Sequence, residues 1–177
     1  MASSPFRVGV ISCGFFAENH LAAWASMDDV VLAAVCDLDL GKARSAAERH
    51  KAGAAYADAA EMLDRETLDF VDIVTTMESH MKLVGMAAAR KLPTIVQKPL
   101  APSWEDCAAV VETCRAAGVP FMVHENTRFL NPVRKAREVI GSGAIGKPTW
   151  ARVSFRTGHN IYGKQPYLAE VDPFCDP

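Results

Sequence analysis

The chain has 177 residues, half of them apolar and 23% charged, with 19 basic against 21 acidic residues and a formal net charge of −2. That length accommodates one full domain and part of another, and the interspersed, balanced charge excludes nucleic acid as a partner. No apolar run approaches the roughly 18 residues of a membrane span, and MASSPFRVGV is too short and polar for a secretory signal.

The five cysteines are odd in number and form no Cys-x-x-Cys pair, so neither a disulfide framework nor a metal site is expected. Cys107 and Cys114, seven apart on one predicted helix face, read as packing residues. A cytoplasmic protein with no membrane contact is the expectation.

In chain order, Phe6 to Ile11 is a continuous apolar strand, as expected of a strand covered on both faces. A helix follows from about Phe16 to Ser26, a strand from Val30 to Cys36 and a helix from Leu40 to Lys51. A short strand at Ala54 to Tyr56 and a short helix at Ala59 to Leu63 precede a fourth strand, Phe70 to Thr75. Ser79 is placed to cap a helix running to Lys91. Thr94 to Gln97 is the fifth strand. Ser103, with Asp106 three positions on, opens a helix to Ala117 that Gly118 closes, and Phe121 to His124 is the sixth strand. Strands alternating with helices of this length predict crossover connections and an α/β, doubly wound parallel sheet.

Beyond His124 the rhythm changes. Pro132 to Ile140 is a helix ended by Gly141-Ser142-Gly143, and Trp150 to Thr157 alternates like a strand of an antiparallel sheet. The expectation is a first domain over 1–128 and the start of a second, α+β domain over 129–177.

Three places carry chemistry. The turn Ser12-Cys13-Gly14-Phe15-Phe16-Ala17 matches a dinucleotide fingerprint in its second and third small positions, Gly14 and Ala17. There a bare backbone and a helix N-terminus can meet a pyrophosphate. Ser12 replaces the first glycine, at a steric cost if that position needs positive φ, although its hydroxyl adds a donor. An ordinary strand-to-helix turn fits the same residues. Asp37 ends the second strand twenty residues after Ala17, where a carboxylate accepts from ribose hydroxyls and repels a 2′-phosphate. This favours NAD over NADP; a solvated turn aspartate is the alternative. Lys98 follows the fifth strand, at the strand ends where ligands sit in open α/β sheets, and Pro99 biases it to extended backbone. Its amine is suited to remove a proton from a hydroxyl. A surface lysine is the plainer reading.

Taken together, Val8 to Gly14, Val35-Cys36-Asp37, Asp72 to Thr76 with His80, Gln97-Lys98-Pro99-Leu100, His124-Glu125-Asn126 with Arg128-Phe129, and Gly143 to Pro148 resemble the Gfo/Idh/MocA oxidoreductase family. The resemblance implies an N-terminal Rossmann domain and a C-terminal α/β domain holding substrate contacts and oligomer interfaces, hence a homo-oligomeric full-length form. It implies an NAD-dependent oxidoreductase acting on a CH–OH group of a small sugar or polyol.

Residue by residue, it implies that Gly14, Phe15 and Phe16 hold the pyrophosphate beside Ser12, and that Asp37 holds the ribose. Thr75, Met77 and His80 would line the cofactor, Lys98 would be the catalytic lysine, and Asn126 and Arg128 would lie near nicotinamide or substrate. His80 and His124 also read as satisfied structural histidines.

The family's Glu-Lys-Pro is here Gln97-Lys98-Pro99. Gln97 can still bind cofactor hydroxyls, and the missing carboxylate would make the Lys98 ammonium easier to deprotonate. Gln-Lys-Pro with His-Glu-Asn resembles a sugar-dehydrogenase branch with D-apiose dehydrogenase-like members, implying an aldose. The family's downstream Asp-x-x-x-His element is absent from these residues, so the chain reads as a fragment. The alternative is a non-catalytic dinucleotide-binding or interaction module.

Overall fold

The protein was analysed as a computed structural model that describes residues 4–154. The six strands β1 (Phe6–Ile11), β2 (Val30–Cys36), β3 (Ala54–Tyr56), β4 (Phe70–Ile73), β5 (Thr94–Gln97) and β6 (Phe121–His124) form one sheet. Its order is β3-β2-β1-β4-β5-β6, and every pairing is parallel. The order reverses between β1 and β4, which opens a crevice at their carboxyl ends.

The connecting helices are α1 (Ala17–Ala25), α2 (Leu40–His50), α3 (Ala59–Arg65), α4 (His80–Ala89) and α5 (Trp104–Ala117). They cover both faces of the sheet, which is why its strands read as apolar without alternation. On one face Val8, Val10, Leu32 and Val35 pack with Ala17, Leu21, Ala43 and Ala46. On the other, Val71, Ile73 and Val96 pack with Met62, Leu83, Val84, Val110 and Cys114.

The register between β1 and β2 slips between Val8 and Gly9, so Leu32 and Ala34 pair with consecutive residues and Ala33 is the extra one. The bulge explains why Ala33 and Ala34 both lie in the same core cluster. It also presses the Ala33 carbonyl toward Gly53, where an added Cβ would stand 2.7 Å from that oxygen.

Side-chain caps set the starts of α2, α3 and α5. The Asp39 side chain accepts from Gly41 N and Lys42 N, Asp58 accepts from Glu61 N, and Ser103 accepts from Asp106 N. Gly118 ends α5 at φ 68°. Ser79 does not cap α4. Its hydroxyl donates its one proton instead to Thr76 O at 2.9 Å and lies 2.6 Å from the Thr75 hydroxyl, from which it can accept. Its hydroxyl is spent on the preceding 3-10 turn, Met77–Ser79, which the strand-to-helix reading did not foresee.

The chain divides into two compact units, Met1–Glu125 and Asn126–Pro177. Within the second, a 3-10 turn (Asn126–Phe129) leads into α6 (Asn131–Gly141), which has Pro132 in its first turn. Residues 150–154 are not in a strand, so the alternation expected from Trp150 does not produce one there. Alternating apolarity specifies a strand only when another strand supplies its ladder hydrogen bonds. The rest of that expectation, 155–157, lies outside the described residues.

Candidate functional site

All six strands run the same way, so Ser12, Asp37, Thr75 and Lys98 follow strand ends on a single edge of the sheet. Register aligns them: Ile11 pairs with both Cys36 and Ile73, Ile73 with Val96, and Gln97 with His124.

The turn after β1 is held by its neighbours. Ser12 N–H donates to Cys36 O at 2.7 Å, and Ser12 adopts φ 94°, the glycine-like conformation that the fingerprint's first position requires. Its hydroxyl accepts from Gly14 N–H at 3.2 Å, which tightens the turn from within. Asp37 accepts from Cys13 N–H at 2.8 Å through one oxygen and from Asp39 N–H at 3.0 Å through the other. Burial, and then the Asp37 carboxylate, push the Cys13 thiol up to about 12, so it is a neutral filler rather than a nucleophile.

Helix α1 has Phe16 at its N-cap position and no side-chain cap, unlike α2, α3 and α5. Its first-turn backbone donors therefore meet no cap side chain of their own. An uncapped helix N-terminus after β1, beside a half-buried carboxylate after β2, is the donor and acceptor set that a pyrophosphate and an adjacent ribose require. The residues fit a dinucleotide. Phe15 is 55% exposed, and the Phe16 ring lies edge-on to the His20 ring at 5.7 Å.

After β4, Thr75 Oγ1 and Met77 sit at the 3-10 turn, both half-buried. His80 is 1% exposed, with its ring nitrogens 3.0 Å from Leu100 O and 3.2 Å from Thr75 O. It staples the loop after β4 to the loop after β5.

Lys98 is exposed immediately after β5, and its bond to Pro99 is cis. Gln97 is buried and turned to the interior. Its Oε1 accepts from Lys98 N–H at 2.7 Å, and its Nε2 lies 3.2 Å from His20 Nε2. Gln97 therefore acts on Lys98 through the backbone, and its amide is committed inside the protein rather than offered to a ligand. The expectation that Gln97 binds cofactor hydroxyls is thus at odds with where its amide lies.

Behind Gln97 lies a set of residues of which the motif reading passed over His20 and Trp24, and in which His124, expected to be a satisfied structural histidine, has an unpartnered ring nitrogen. Asp72, fully buried on β4, accepts from His20 at 2.8 Å and Trp24 Nε1 at 2.7 Å through the same oxygen. The His124 ring stands 4.3 Å from that of His20, and its Nδ1 is buried without a hydrogen-bond partner. Burial, and then His20, hold His124 below the usual histidine value. Two sequence features pointed here: a carboxylate inside the apolar run Phe70-Val71-Asp72-Ile73, and a His and a Trp four apart on α1.

Asn126 and Arg128 belong to the second unit, where the Arg128 guanidinium lies 5.7 Å from the Phe129 ring centroid. Among the described residues there is no cluster of His, Cys, Asp and Glu able to hold a metal, and no helix long and apolar enough to cross a membrane.

Comparison with known proteins agrees with this geometry. The chain is 44% identical over 174 residues to a D-apiose dehydrogenase from Rhizobium rhizogenes, covering 98% of this chain and 50% of the relative. It is also 44% identical over 169 residues to a D-apiose dehydrogenase from Paraburkholderia graminis, covering 96% and 45%. It thus spans about half the length of the curated relatives it matches. Its fold superposes with a TM-score of 0.90, at 44% identity, on an oxidoreductase from Agrobacterium radiobacter crystallised with NAD+, L-tartaric acid and magnesium. That match covers 94% of this chain and 48% of the other. Residues 6–125 match the model of an oxidoreductase family with an NAD-binding Rossmann fold, and the chain belongs to that family, Gfo/Idh/MocA.

Proposed function

We infer that this chain supplies the coenzyme-binding and proton-accepting half of an NAD-dependent dehydrogenase acting on a CH–OH group of an aldose or related polyol. The observation that carries the reading is the alignment of Ser12, Asp37 and Lys98 on one sheet edge, at the switch point between β1 and β4. The 44% identity to two D-apiose dehydrogenases supports an aldose as the substrate class.

The backbone at Gly14, Phe15 and Phe16 with α1's first turn holds the pyrophosphate, and Asp37 receives the adenosine ribose. A 2′-phosphate would meet the Asp37 carboxylate, which disfavours NADP. The nicotinamide coenzyme supplies a hydride acceptor when bound. Lys98 orients the substrate hydroxyl and takes its proton as the carbon is oxidised. Asn126 and Arg128 are assigned to the substrate, and Thr75 and Met77 to the coenzyme. The whole protein is proposed to be a cytoplasmic homo-oligomer, in keeping with free thiols at Cys13, Cys36, Cys107 and Cys114.

Two measurements test the reading. NAD at a hundredfold excess over its dissociation constant should raise the melting temperature of the 177-residue chain by about 5–10 °C. NADP should do so far less, and an unchanged melting curve with both coenzymes refutes the site. In a protein extended to the length of its relatives, Lys98→Ala should lower aldose-dependent NAD+ reduction by roughly 10²–10⁴-fold. Retained turnover refutes the role of Lys98.

A further inference from the structure

The strongest feature left unused by that reading is the buried polar chain behind β5. Asp72 is 0%, Gln97 5% and His20 6% exposed, so each hydrogen bond among them is made away from water and each donor needs a definite acceptor. The directions can be worked out from one end. Lys98 N–H can only donate, so the Gln97 atom 2.7 Å from it is the carbonyl oxygen. That places the Gln97 amide nitrogen, a donor, 3.2 Å from His20 Nε2, which must then be bare and accepting. The proton of the neutral ring is consequently on Nδ1, where it meets Asp72 at 2.8 Å. Trp24 Nε1–H, a donor only, completes the same carboxylate oxygen at 2.7 Å.

We propose that Gln97, His20 and Asp72 form a one-directional hydrogen-bond relay that positions Lys98 by its backbone N–H. It ties the lysine to α1, the helix that starts at the phosphate turn. The proposal rests on Lys98 being the reacting amine. In it, Gln97 is a positioning residue and not a coenzyme ligand. An amide is required because it both accepts from residue 98 and donates to the histidine. A carboxylate could only accept at both ends, so a glutamate at 97 would draw a proton onto His20 Nε2 and leave an imidazolium between two acids.

The test uses the uniformly ¹⁵N-labelled 177-residue chain. Long-range ¹H–¹⁵N correlation of the His20 ring should show one ring proton, on Nδ1; a proton on Nε2, or on both nitrogens, overturns the relay. In Gln97→Glu a second ring N–H should appear at His20, while the residue 98 amide keeps its slow hydrogen exchange. Gln97→Met fills the same space without polar atoms, and it should speed exchange at residue 98 roughly fivefold, the loss of one ordinary hydrogen bond. Amides within β5 should be unaffected. Unchanged exchange at residue 98 in the methionine variant also overturns the proposal. Should that variant not fold, the wild-type tautomer and the glutamate spectrum decide the question. Lys98→Ala should leave both readouts untouched because the relay ends on the backbone. An error in assigning the amine therefore shows only in turnover, and an error in the relay only in these spectra.

Discussion

At the scale of single residues, the turn after β1 shows how a departure from a motif is absorbed. The fingerprint's spacing was legible in the sequence. The way Ser12 meets the positive-φ requirement was not, because it depends on a bond from Gly14 N–H that forms only once the turn closes. Ser12→Gly and Ser12→Ala separate the two contributions. Both lose the hydroxyl, but only alanine keeps a Cβ at φ 94°, so the glycine variant should be the more stable by about 1 kcal/mol in urea denaturation. His124 gives a pH prediction. Its value is lowered by burial and by His20, while Asp72 and Glu125 pull the other way. A histidine depressed in the folded state contributes stability above its unfolded value of about 6.5, and that contribution is lost as pH falls. His124→Phe should therefore lose less melting temperature than wild type between neutral pH and mild acid. Equal losses would remove His124 as a cause.

At the scale of elements, the strands were read closely from β-branched runs, with five of the six bounds recovered at Phe6–Ile11, Val30–Cys36, Ala54–Tyr56, Thr94–Gln97 and Phe121–His124. Strand β4 was drawn too long. Val74 continues the apolar run, but only Ile73 is its last residue in register with β1 and β5. Pairing, not side-chain character, ends a strand. The bulge at Ala33 was likewise invisible, since it lies in the register between strands. It makes the α2–β3 connection the tightest backbone approach among the described glycines: Gly53→Ala would press its methyl on the rigid Ala33 carbonyl, whereas Gly9→Ala meets only the flexible tips of Leu68 and Met62. Gly53→Ala should cost about 2 kcal/mol or more and Gly9→Ala distinctly less, measured as midpoint shifts in urea.

At the scale of the whole molecule, parallel strand direction did most to make the site legible. Once β-α alternation implied crossovers, all strand ends were bound to share an edge, and residues far apart in sequence became neighbours without any contact information. The relay through Asp72, His20 and Gln97 could not be read this way. It runs between layers, from α1 under the sheet edge, and nothing in spacing says which buried polar groups will meet. Asp72→Ala would strand two donors, the buried His20 and the half-buried Trp24, and should cost about 3 kcal/mol. Urea unfolding of the chain checks this.

The two oxygens of Asp37 leave that side chain with divided loyalties. Each is already tied to a main-chain amide, one in the loop following the first strand and one at the threshold of the second helix. Anyone re-engineering the protein to accept a phosphorylated coenzyme would begin by neutralising this acid. Doing so alone would slacken the loop proposed to grip the coenzyme. Asparagine restores only one of the two bonds, because its amide nitrogen cannot accept, so a successful redesign would need a second acceptor for the other amide, with the positive charge introduced at a different position.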